Sequence, residues 1–259
     1  MPRFAANLTM LFNELPFMER FNAARETGFD AVEYLFPYAY DKQDLVQALK
    51  DNALQQVLHN LPPGDWDAGE RGIACHPQRK AEFRDGVARG IAYATALQCP
   101  RVNCLAGKLP DGLDRAKALE CLIDNLRFAA AELGKAGIRL LIEPINHYDM
   151  PGFLINTTAQ AMEVLEAVGS DNLLIQYDIY HAQRMEGELA ATMQRHLQRI
   201  GHMQLADNPG RHEPGSGEIN YAFLFRHLDA IGYQGWIGCE YKPATTTTAG
   251  LGWRKALTR

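Results

Sequence analysis

Four oxygen-bearing side chains recur at matching points in the second half of the chain. Glu143 closes the apolar run that starts at Ile138, Asp178 the run from Leu173, and Glu240 the run from Gly235, while Gln204 lies near the end of the run from Gly201. The intervals between them are 35, 26 and 36 residues, about one strand-plus-helix unit each. If each run is a strand of one parallel barrel, the four tips converge on one rim. Three carboxylates gathered there would repel one another unless a cation sat between them. An all-oxygen donor set suits a hard divalent ion, Mg²⁺ or Mn²⁺, better than Zn²⁺, which favours nitrogen and sulfur. Glu143, Asp178, Gln204 and Glu240 are therefore the expected ligands of one divalent metal.

The elements that must position them are legible as punctuation. Strands are expected at 4–9, 31–36, 54–60, 101–105, 138–143, 173–178, 201–205 and 235–240. Helical periods are expected over 16–27, 43–52, 81–97, 114–136, 158–168, 185–198 and 221–231, with an eighth near 248–257. Gly28, Gly137, Gly169 and Gly232 follow helical stretches, where a left-handed cap is expected. Asp114 and Thr157 or Thr158 stand where N-caps belong. Eight strand–helix alternations in 259 residues are the arithmetic of a single (β/α)8 TIM barrel spanning residues 1–259. An open doubly wound sheet is disfavoured, because the first strand is followed by Met10-Leu11-Phe12-Asn13 rather than a glycine-rich loop. The Pro/Gly-rich stretches 61–64 and 208–217 each follow an expected strand. They read as long βα loops, the segments that build a barrel's active-site face.

Composition narrows the chemistry. With 47% hydrophobic and 22% charged residues the chain can bury a sizeable core, and a formal charge of −5 disfavours a nucleic-acid partner. No apolar run reaches the ~18 residues a membrane helix needs, and the start lacks a signal-peptide pattern, so neither a membrane partner nor export is expected. Five cysteines, none in C-x-x-C spacing, point to a reducing cytoplasm. Only two serines occur and neither stands in G-x-S-x-G, so serine hydrolysis is poorly supported. No dinucleotide fingerprint or phosphate-binding loop is present.

The stretches Ile142-Glu143-Pro144-Ile145-Asn146, Tyr177-Asp178-Ile179-Tyr180-His181, Gly201-His202-Met203-Gln204-Leu205-Ala206-Asp207-Asn208 and Gly238-Cys239-Glu240-Tyr241 resemble the xylose-isomerase-like barrel superfamily. Within it the chain resembles the hydroxypyruvate isomerase family along its whole length. Ala6–Phe12, Glu33–Tyr38 and His59–Pro62 agree, with Gly64-Asp65-Trp66 and Gly69-Glu70-Arg71-Gly72. The nearest likeness is to the 2-oxo-tetronate isomerase branch. The resemblance implies that Glu143, Asp178, Gln204 and Glu240 ligate the ion, and that Glu143 and Glu240 form the proton donor/acceptor pair. Many superfamily members carry histidine where Gln204 stands, so this donor set is one imidazole poorer.

The reaction so implied is a keto/aldehyde isomerisation of a short sugar acid through a cis-enediolate. The expected substrate is 2-oxo-tetronate, giving 3-oxo-tetronate; the alternative is hydroxypyruvate, giving tartronate semialdehyde. A sugar epimerase, a dehydratase such as inosose dehydratase, and an endonuclease IV-like nuclease are more distant readings. The nuclease would need several histidine ligands and a basic groove. A small anionic substrate needs a local cation, and Arg71, Lys108 and Lys242 are the candidates. His59 and His181 are placed to bind substrate oxygens or orient a carboxylate, while His202 shares the strand face of Gln204 deeper in the barrel, where a supporting or core role is expected. Phe12, Tyr38 and Trp66 could roof the pocket, and Asp207 and Asn208 could shape the loop after the seventh strand. A homo-oligomer is compatible with all of this.

Overall fold

The computed structural model describes residues 1–258. Eight parallel strands run in the order β1 to β8 and close into a barrel. They are β1 (Arg3–Asn7), β2 (Ala31–Glu33), β3 (Gln55–Asn60), β4 (Arg101–Cys104), β5 (Arg139–Ile142), β6 (Leu173–Asp178), β7 (Ile200–Leu205) and β8 (Trp236–Cys239). Apart from their first residues most strand positions are buried, as expected where side chains fill the barrel on one face and helices cover the other. The expected (β/α)8 architecture is present. Glu143 and Glu240 fall one residue beyond β5 and β8 rather than inside them.

The helices are α1 (Arg20–Glu26), α2 (Lys42–Asp51), α3 (Lys80–Ala96), α4 (Arg115–Lys135), α5 (Thr158–Val168), α6 (Ile179–Met185), α7 (Leu189–His196), α8 (Tyr221–Ala230), α9 (Thr247–Gly250) and α10 (Trp253–Leu257). In α4 the buried residues Ala118, Leu122, Leu126, Ala129 and Leu133 recur every three or four positions, the stripe that packs a helix on a sheet. Asp114 caps it by accepting from the Ala116 and Lys117 amides. Thr157 caps α5 in the same way, and Gly169 ends it at φ +68°. One helix is not foreshadowed by periodicity: the seven residues of α6 begin directly at Asp178, whose carboxylate accepts from the Tyr180 amide at 2.8 Å. The last expected helix is two short ones.

The chain divides into two compact units. One comprises residues 1–34, 43–57 and 177–259, the other residues 35–42 and 58–176. In the first, β1 pairs with both β2 and β8, and β7 pairs with β8. That register sets Asn7 beside Glu33 and Gln204 beside Gly238. In the second, β4 pairs with β5 and places Asn103 beside Leu141.

Candidate active site

In the unit built around β4 and β5, Glu143 is 4% exposed. Its Oε2 accepts from Asn103 Nδ2 at 3.3 Å and from Gln176 Nε2 at 2.9 Å. Each amide is a polar residue inside an otherwise apolar strand, and together they orient the carboxylate.

In the other unit, Asp178 and Glu240 share one cation. Arg211 Nη2 lies 3.8 Å from Asp178 Oδ2 and 3.3 Å from Glu240 Oε1. Burial raises the pKa of both acids; Arg211 opposes the rise, the charge of Glu33 adds to it in both, and that of Asp178 adds to it in Glu240. One guanidinium therefore does not meet the demand for positive charge here. Asp178 Oδ1 is spent on capping α6, and its fully buried Oδ2 has no hydrogen-bond partner among the described residues. The first turn of α6 brings His181 Nε2 within 3.6 Å of that same oxygen. Burial, then the charges of Arg211 and Arg184, lower the pKa of His181, so it faces Asp178 as a neutral imidazole. An orphaned buried carboxylate oxygen beside acids of raised pKa fits a divalent cation. Among the described residues of this unit, Asp178 and His181 offer a carboxylate oxygen and an imidazole nitrogen to such an ion.

Gln204 donates its amide nitrogen to Glu33 at 2.7 Å, and His202 approaches the same carboxylate at 2.6 Å. His202 is wholly buried, as its place deeper in the barrel implies.

A family profile described as xylose isomerase-like TIM barrel matches residues 21–257. The chain belongs to that family. Full-length relatives of this xylose isomerase-like barrel include hydroxypyruvate isomerase of Escherichia coli (strain K12), 56% identical over 98% of each chain. Another is 2-oxo-tetronate isomerase of Cupriavidus necator, 48% identical over 98% of each. A solved structure described as an AP endonuclease, family 2, from Brucella melitensis superposes with a TM-score of 0.96 at 46% identity, covering 99% of both chains. With isomerases as its full-length sequence relatives, this barrel is an isomerase.

Of the three cations expected to take the substrate carboxylate, two are engaged elsewhere in the barrel's loops. Arg71 stacks at 3.9 Å on Trp66 and donates to the Trp66 and Glu70 carbonyls, while Lys108 donates to the Gly69 carbonyl at 3.2 Å. Lys242 is exposed, and its backbone amide donates to the Arg211 carbonyl at 2.8 Å. The cation that does meet the acids, Arg211, was not among the expected residues. Its signal was its place in the Pro/Gly-rich loop after β7. That loop is pinned by Asp207, which accepts from the Asn208, Gly215 and Ile219 amides, and by Gly217, where any side chain would overlap the Asn208 carbonyl. Of the expected roof, Trp66 packs edge-on against Phe36, Tyr38 donates to the Asn60 carbonyl, and Phe12 is buried.

His59 is wholly buried beside Tyr38, and burial lowers its pKa to about 4, against a small opposing effect of the Gly90 backbone. The folded state thus refuses a proton that the unfolded chain takes up near pH 6.5. Its contribution to stability is complete above that pH and fades as pH falls toward 4. Urea unfolding at pH 7 and pH 4 should show a loss of about 3 kcal/mol from this residue. His59→Gln should shrink the difference by that amount; an unchanged pH dependence would contradict the assignment.

Proposed function

We propose that the protein interconverts 2-oxo-tetronate and 3-oxo-tetronate with one bound divalent ion, Mg²⁺ or Mn²⁺. The ion would be held by Glu143, Asp178, Gln204 and Glu240. The observation that carries this reading is the pair of buried acids, Asp178 and Glu240, turned onto one shared cation with an oxygen of Asp178 left unsatisfied. A bound dication would supply charge stabilisation for the substrate's carbonyl and hydroxyl oxygens.

The chain's own residues do the rest. One of the pair Glu143 and Glu240 removes the proton from C3, and the C–H electrons form the C2=C3 bond of the enediolate. The other glutamate returns a proton to C2 while the C3 hydroxyl passes its own to the C2 oxygen, so C3 is oxidised as C2 is reduced. No external oxidant is consumed. Asn103 and Gln176 hold Glu143 in one orientation for this transfer. The substrate carboxylate is assigned to Arg211, whose side chain is 19% exposed and so reachable by a ligand.

Hydroxypyruvate is the second reading, favoured by the 56% identical relative of that name. It lacks one carbinol carbon but undergoes the same proton transfer. A net charge of −5 and an amide at position 204 weigh against cleavage of nucleic acid. Five buried, free cysteines suit a reducing cytoplasm, and among the described residues no helix is long and apolar enough to cross a membrane.

Incubating the Mn²⁺- or Mg²⁺-loaded protein with each acid in D₂O, and following both by NMR, tests the reading. The expected result is deuterium entering C2 of the product, with faster turnover of the four-carbon acid. Faster turnover of hydroxypyruvate would select the alternative. Inversion at a carbinol carbon without carbonyl migration would make the protein an epimerase.

A further inference from the structure

Outside the proton pair, the ligands and the loop-pinning Asp207, one buried acid remains among the described residues. Glu33, the last residue of β2, is 1% exposed and carries a carboxylate surrounded by nitrogen donors. Its Oε1 accepts from Asn7 Nδ2 at 2.9 Å and from Gln204 Nε2 at 2.7 Å, and its Oε2 lies 2.6 Å from His202 Nε2. β8 makes room for it: a side chain at Gly238 would overlap both Glu33 oxygens. An ionised carboxylate only accepts hydrogen bonds. It therefore dictates which end of the Gln204 amide faces it, and requires His202 to carry its proton on Nε2.

We infer that Glu33 is a positioning residue, which locks the Gln204 amide with its nitrogen inward so that its oxygen is the atom presented to the metal ion. The inference rests on the metal reading above. It accounts for the residue type at 204: a carboxylate there would stand 2.7 Å from Glu33 with no proton between them, whereas an amide is both a donor to Glu33 and an oxygen ligand. Asn7 and His202 hold the Glu33 carboxylate in place, so the orientation of a ligand atom is set by β1 and β2 as well as by its own strand.

Mn²⁺ titrations of the intact protein, followed by the EPR signal of the free ion, test this in four forms: the unaltered chain, E33Q, Q204E and the exchange E33Q/Q204E. An amide at 33 can both donate and accept, so it no longer fixes the neighbouring amide, and E33Q should weaken Mn²⁺ binding about 10- to 100-fold. Q204E should also weaken it, although it adds a negative ligand, because two carboxylates then compete for one hydrogen bond. The exchange reverses the polarity of that bond and should recover affinity to within a few-fold of the unaltered chain. A purely structural role for Glu33 predicts no such recovery. E33Q binding within twofold of the unaltered chain, or Q204E binding more tightly, overturns the inference while leaving the metal reading intact. No Mn²⁺ binding by the unaltered chain overturns both. If E33Q does not fold, Q204E decides, since it keeps Glu33.

Discussion

Glu240→Gln is expected to lower turnover of the acid substrate about 10³-fold, within the range removed with a general acid or base. The substitution keeps the size of the side chain and an oxygen, and removes only the capacity to take and return a proton. Burial and the charges of Asp178 and Glu33 raise the pKa of Glu240 toward the working range, where a carboxyl group exchanges protons most effectively. Glu143→Gln should cost as much, yet the two variants should differ in D₂O. The variant lacking the abstracting residue loses exchange of the C3 hydrogen altogether. The variant lacking the returning residue still exchanges it, without forming product. Thermal unfolding within a few degrees of the unaltered chain certifies that each variant is folded. Full exchange in both variants would remove these two residues from the proton path.

The placing of these two acids was readable because barrel strands are short and their ends are marked. Asp178 ends β6, and the boundary errors at β5 and β8 were single residues, so the register of tips survived. What was not readable lies in contacts across strands. Asn103 and Gln176 are polar residues within apolar runs, but nothing local says that both face Glu143. Glu33 appeared only as part of a resembling stretch; its partners Asn7, His202 and Gln204 stand on β1 and β7, and sequence distance hides such pairings. The short α6 escaped because Asp178 serves both as strand end and as helix cap, leaving no spacer to announce a new element. The sequence points to Arg71, Lys108 and Lys242 as candidates for the substrate's carboxylate, the two lysines because they closely follow strand tips. The Asp207-pinned loop instead returns Arg211 to the acids from seven residues past Gln204.

Arg211→Gln is expected to raise the KM for the acid substrate about 10- to 100-fold, the loss that follows removal of a charge-assisted hydrogen bond. A neutral sugar of the same length has no carboxylate to lose, so its KM should move far less. The same substitution has a second consequence of opposite character. The guanidinium 3.3 Å from Glu240 and 3.8 Å from Asp178 holds both pKa values below where burial alone would put them. Without it both rise further, and an acid that must be ionised to accept a proton becomes active only at higher pH. The acidic limb of the kcat/KM profile should therefore shift to higher pH in Arg211→Gln. Arg211→Lys keeps the charge but not the forked geometry; it should restore most of that limb while leaving KM for the acid substrate raised. The two effects separate the roles: a pH shift with equal KM changes for charged and neutral substrates would confine Arg211 to tuning the carboxylates. A selective rise in KM for the acid, reversed by neither pH nor lysine, identifies it as the residue that recognises the substrate's charge.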